Sequence, residues 1–121
     1  MCLWQFDNDK PIYKQLVEKL EIWIINGTYP PGSKLPSVRE LAEESGVNPN
    51  TMQRALQELE TKGFVYTKRT SGRYVTEDQK KIEEGKLVLA HERIHTFLTE
   101  MNEIGIPLKQ VIDYIRKEEK K

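Results

Sequence analysis

Cys2 is the only cysteine in the chain. A single thiol excludes an intramolecular disulfide and any cysteine-rich zinc site, and leaves an inert thiol near the terminus. Long apolar runs are also missing. None approaches the length that spans a bilayer, and no secretory leader pattern comes before the first helical stretch, so a cytoplasmic protein is expected. An excess of charge of either sign is lacking, with 19 basic against 19 acidic residues. Neither half breaks the balance, because residues 1–76 hold 10 basic and 9 acidic groups and the rest hold 9 and 10. Charge balance alone therefore says little about partners, since electrostatic fields act locally. There is no internal repeat, no low-complexity linker, no nucleophile–base pair, no phosphate loop and no cofactor fingerprint. The length, 121 residues, suits one domain of moderate core plus a small appendage.

What is present centres on residues 35–75. Ser37 and Glu40 have capping-box spacing at the start of a short helix, with Val38, Leu41 and Ala42 as its apolar face. Gly46 follows, where a left-handed residue can end the helix. Val47 plugs the turn, Asn48 caps a second helix, and Pro49 sits where its missing N–H costs nothing. Two short helices joined by a glycine-containing turn read as a helix-turn-helix. On the second helix Met52, Ala55, Leu56 and Leu59 share one side at helical spacing. Asn50, Arg54, Gln57 and Thr61 share the other, with Gln53 beside them and no acid among them. Amides and guanidinium pair bidentately with adenine and guanine edges. An ordinary solvated face would carry glutamate and lysine instead.

Gly63 ends that helix. Phe64–Thr67 and Arg73–Thr76 read as two strands, with Thr70-Ser71-Gly72 turning between them. The stretch from Lys62 to Arg73 carries four basic residues (Lys62, Lys68, Arg69, Arg73) and no acid. A basic hairpin after a recognition helix reads as a wing, with its tip against phosphates or the minor groove. A plain solubilising hairpin is the competing reading.

At this point the chain resembles a known family. Pro11-Ile12-Tyr13, the run Pro31 to Ala42 and the run Asn48 to Ala55 resemble the DNA-binding domain of GntR-type bacterial transcription regulators. The resemblance covers residues 10 to 76, and more loosely a short C-terminal segment like that of the YtrA-like subgroup. It implies that Ser37, Arg39, Asn48, Asn50, Thr51, Gln53 and Arg54 lie at or near double-stranded DNA, with Lys68, Arg69 and Gly72 of the wing. It also implies repression by blocking promoter access, often of an adjacent transporter operon. The family often carries two glycines in the wing; Thr70 stands in place of one here, which gives a stiffer tip.

In chain order, Leu3, Trp4 and Phe6 are too apolar for a free tail and should pack on the domain or on a second subunit. A helix from about Pro11 to Asn26 presents Tyr13, Leu16, Val17, Leu20, Trp23 and Ile24 on one face. Tyr29-Pro30-Pro31-Gly32 makes a tight connection, and Leu35 adds a short third strand. A long helix from about Asp78 to Asn102 carries Leu87, Ala90, Ile94, Phe97 and Met101 at alternating spacings of three and four, a coiled-coil-like seam that Leu98 widens. Gly105-Ile106-Pro107 breaks it. A last helix to about Glu118 turns Leu108, Val111, Ile112 and Ile115 inward. Two such helices cannot bury their apolar faces alone, so pairing with the same unit of another chain is expected; packing back onto the first domain competes. The expected fold is mainly α with a small β-hairpin wing: a winged helix-turn-helix over residues 1–76, then a two-helix dimerisation unit over residues 77–121. This leaves no enclosed ligand pocket in one chain, and a small-molecule effector stays open.

His91-Glu92-Arg93-Ile94-His95 matches the H-E-x-x-H pattern of zinc peptidases. Ile94 centres the seam, however, the histidines flank it, and Glu92 points nearly opposite. A peptidase also needs a third ligand and a cleft, and the sequence offers neither. No cofactor, metal or catalytic residue is therefore expected. The reading is a sequence-specific regulator, a repressor acting as a homodimer on a palindromic operator. Its competitors are an architectural protein that binds DNA without sequence preference, and a protein-interaction module.

Overall fold

The computed structural model describes residues 4–119; Cys2 and Leu3 lie outside them. The described elements are α1 (Ile12–Ile25), α2 (Val38–Ser45), α3 (Pro49–Thr61), β1 (Val65–Lys68), β2 (Gly72–Val75), α4 (Gln79–Glu103) and α5 (Leu108–Glu119). The chain divides into two compact units, Met1–Glu84 and Gly85–Lys121. The division falls inside α4, whose first turn belongs to the first unit.

Local sequence explains most boundaries in the first unit. Ser37 caps α2, accepting from the Glu40 N–H, and the Glu40 carboxylate accepts from the Ser37 N–H in return. Gly46 ends α2 in the left-handed conformation at φ 76°, which costs a glycine nothing, and donates its N–H to Ala42. Asn48 caps α3 by accepting from the Asn50 N–H at 2.7 Å, and Pro49 follows at the first helical position. The Asp78 carboxylate accepts from the Lys80 and Lys81 N–H groups and so opens α4.

The core gathers Leu16, Leu20 and Ile24 of α1, Leu41 of α2, Met52, Leu56 and Leu59 of α3, and Val75 of β2, all fully buried. These are the positions that helical and strand periodicity select, and their burial supplies the main driving force for the unit. Trp4 joins this core. Its ring meets Trp23 edge-on at 4.8 Å, and Phe6 packs beside it. Gln15 clamps the N-terminal strap to α1. Its amide accepts from the Asp7 N–H and donates to the Asp7 and Lys10 carbonyls. The strap thus packs on its own domain, one of the two partners that the sequence left open.

β1 and β2 pair antiparallel with Val65 opposite Val75 and Tyr66 opposite Tyr74. A third piece of backbone joins them: the Leu35 N–H donates to Arg73, the Val75 N–H to Ser33, and a single bridge links Lys34 to Tyr74. The expected third strand is therefore one bridge long.

In the second unit only Val111 is buried among the described residues. Leu108, Ile112 and Ile115, expected to face inward, are exposed within one chain at 57%, 40% and 47%. The physical reason is geometric: a helix can cover one stripe of its neighbour, and two helices leave their other stripes uncovered.

Candidate nucleic-acid interface

α1, α2 and the hairpin hold α3 through its Met52–Leu59 side, which leaves Asn50, Arg54, Gln57 and Thr61 exposed. Gln53 and Thr51 are half-buried at the edge of that stripe. No acid occupies it, as the sequence indicated, although Thr61 turns its hydroxyl back to the Gln57 carbonyl. Asn48 uses its side-chain oxygen as a cap, so its amide N–H groups are what it can offer a partner. Ser37 likewise accepts within its capping box and keeps its own O–H to donate.

Ser37 and Arg39 of α2 line one open groove of about 760 Å³ together with Gly72 of the hairpin. Lys34, Thr67, Ser71 and Arg73 complete that side of the groove. Gly72 has φ 120°, and a β-carbon there would stand 3.2 Å from Cε of Lys34. Both facts favour glycine at this position. Lys34, which the sequence did not single out, also lines this groove. It sits in a connecting loop, and backbone pairing of this loop with β2 brings it beside the wing. Arg39 pairs with Glu43 at 3.3 Å, with the two side chains 88% and 70% exposed. Such an exposed pair contributes little to stability.

The hairpin differs in charge from its sequence reading. Four basic residues without a local acid implied a uniformly cationic wing. The fold brings Glu60 to Arg73 at 3.6 Å and Glu21 to Lys62 at 3.3 Å, so two of the four face carboxylates from α3 and α1. Glu60 also accepts from the Thr67 hydroxyl. Lys68 and Arg69 remain at the tip. The Lys68 ammonium lies over the Tyr74 ring, 4.4 Å from its centre, and the Tyr74 hydroxyl bonds to that of Ser71 across the turn. Tyr66 stacks on Tyr74 behind them. These contacts tie the tip down.

His91 and His95 lie exposed on α4. Among the described residues, no group of three or more His, Cys, Asp or Glu side chains is placed to hold a metal ion. No helix among them is long and apolar enough to cross a membrane.

A capped helix-turn-helix with a polar outward stripe and a short twisted hairpin beside it defines a winged helix-turn-helix DNA-binding protein. Residues 12–75 match the family model for bacterial regulatory proteins of the gntR family, and the chain belongs to that family. Its relatives are transcription regulators and not enzymes. It is 36% identical over 107 residues to the HTH-type transcriptional repressor YtrA of Bacillus subtilis, covering 88% of this chain and 82% of the relative. A solved GntR family transcriptional regulator from Listeria monocytogenes superposes with a TM-score of 0.85 at 45% identity, covering 93% of this chain and 98% of that one. The DNA-binding domain of AraR, solved in complex with its operator ORX1, superposes with a TM-score of 0.56 at 28% identity, covering 60% and 93%.

Proposed function

We propose that the protein is a cytoplasmic, sequence-specific transcriptional repressor that binds a palindromic operator as a homodimer. The observation that carries this reading is the exposed, acid-free stripe of amide and guanidinium groups on α3. Arg39, Ser37 and Gly72 add a groove between α2 and the hairpin, and Lys68 and Arg69 stand at the tip of the wing. Base contacts specify and phosphate contacts position, and the site holds residues suited to each. The solved AraR complex supports operator binding by this kind of domain, and the name of the YtrA relative supports repression.

The homodimer draws on the second unit. Of the ten exposed large hydrophobic side chains among the described residues, nine lie there, Ile12 being the tenth. Leu87, Ile94 and Phe97 of the seam are 59%, 52% and 41% exposed. Ala90 is exposed too, while Leu98 and Met101 are half-buried. A second copy would cover this surface and set two recognition helices for two half-sites.

The test is selection followed by titration. The wild-type protein is used to enrich duplexes from a random pool, and an inverted repeat with half-sites about one helical turn apart is expected. Arg54→Ala should then cost about 1–3 kcal/mol on the enriched duplex and much less on a scrambled one. No enrichment, or equal losses on both duplexes, would replace this reading with the architectural one.

A further inference from the structure

The Arg54 guanidinium lies over the Tyr13 ring, with its central carbon 3.7 Å from the ring centre. This contact joins two elements distant in sequence. Tyr13 is in the first turn of α1 and half-buried, whereas Arg54 is exposed on the outward side of α3. Arg39 donates its Nε–H to the Glu43 carboxylate, whereas Arg73 only pairs in charge with Glu60 at 3.6 Å. An aromatic ring engages the guanidinium differently. It attracts the cation through its face and leaves the in-plane N–H donors at the edge. Those edge donors are the groups that pair bidentately with guanine O6 and N7.

We propose that Tyr13 is a positioning residue for operator recognition: its ring holds the Arg54 guanidinium by one face so that the edge is presented ready to pair with a base. The proposal rests on the reading of α3 as the base-reading helix. A free arginine samples many rotamers and loses that freedom when it binds, while a stacked one has lost much of it beforehand. The ring itself is well placed for this task. Gln15, two residues after Tyr13, ties the first turn of α1 to the strap through the Asp7 and Lys10 carbonyls. α1 is in turn packed against α3 through Leu16, Leu20 and Ile24, so the platform and the helix it serves move together.

The experiment uses the full-length chain and four variants: Tyr13→Leu, Tyr13→Phe, Arg54→Ala and the double variant Tyr13→Leu with Arg54→Ala. Each is titrated against the duplex enriched by the wild-type protein and against a scrambled duplex of equal length, over a range of salt. The ratio of the two affinities is read, because it does not depend on the fraction of folded protein. Tyr13→Leu should lower that ratio about three- to fivefold, in line with a cation–π contact at a partly exposed site. Tyr13→Phe keeps the ring and should stay within about twofold of wild type. Tyr13→Leu should add nothing further when Arg54 is already alanine, and the salt slope should not change, since no phosphate contact is lost. If the leucine variant does not fold, Tyr13→Met repeats the test with a non-aromatic chain of similar reach.

An unchanged ratio in Tyr13→Leu, beside a lowered ratio in Arg54→Ala, would overturn the positioning role and leave the base-reading helix intact. An equal loss in Tyr13→Phe would overturn it in favour of the hydroxyl. An unchanged ratio in Arg54→Ala would overturn the base-reading role of that residue and the positioning role together.

Discussion

Replacing Ile94 by glutamate tests the proposed dimer at its centre. Within one chain Ile94 is 52% exposed, so about half of its surface is left to be buried by a partner. Burying a whole isoleucine side chain stabilises by roughly 1.5–3 kcal/mol, so the half gives about 1 kcal/mol per subunit. A two-fold interface uses each residue twice, which makes about 2 kcal/mol lost on substitution. The new carboxylates add a larger penalty. Each must leave water, at a cost of several kcal/mol per ion, and a two-fold seam centred on Ile94 brings the two together. The sum exceeds about 5 kcal/mol, which raises the dissociation constant by roughly three orders of magnitude or more. Sedimentation of wild type and Ile94→Glu from nanomolar to micromolar concentration reads this directly. The melting of the first unit should be unaffected, because Ile94 lies outside it. Operator affinity should fall with dimerisation, since one docked subunit no longer holds the other at high effective concentration. An Ile94→Glu variant that associates like wild type would move the interface elsewhere, and a wild-type protein that is monomeric at micromolar concentration would sink the dimer.

Lys68→Ala should weaken binding to enriched and scrambled duplexes by a similar factor and reduce the salt slope by about one unit per subunit; a loss confined to the enriched duplex would make Lys68 a reader of sequence rather than a phosphate contact. Trp4→Ala should destabilise the first unit by about 3–5 kcal/mol in denaturant unfolding, because Trp4 is buried against Trp23; a cost below about 1 kcal/mol would show the strap to be dispensable. Burial, and secondarily the Glu44 carboxylate, push the Tyr29 phenol above its usual value. The folded state therefore holds that proton more tightly than the unfolded state. This contribution is fully present below about pH 10 and is lost as pH rises through the folded value. Tyr29→Phe should accordingly show a shallower fall in stability on the alkaline side, and identical pH profiles for the two proteins would refute the assignment.

Much of the fold was legible because its signals are local. Ser37 with Glu40, Gly46, and Asn48 with Pro49 each act over a few residues, through a backbone donor that needs a partner or a left-handed turn that needs glycine. The apolar sides of α1 and α3 follow from helical period alone, and their members are buried except Tyr13 and Trp23, which are half-buried. The two strands and the break at Gly105 were equally visible. The hydrophobic strap was visible as apolar, but its partner was not, because nothing in Trp4 says that Trp23 will receive it edge-on.

The chain by itself therefore determined the element order, the family, and the side of α3 that faces outward, since these depend on spacing along a helix and on caps within a turn. Tertiary structure alone decided which charges at the candidate site are engaged. Glu60 and Glu21 reach Arg73 and Lys62 from other elements, so a run without acids in sequence is not a patch without acids in space. The same holds for Lys34, brought to the wing by backbone pairing, and for Tyr13 beneath Arg54, with all of α2 between them in the chain. The division inside α4 is of this kind too, because Ile82 joins the core of the first unit while the periodic seam runs on past it. Local rules act through hydrogen bonds a few residues long, whereas pairings of charge, cation and ring depend on which distant surfaces the core brings within a few ångströms, and periodicity carries no record of that.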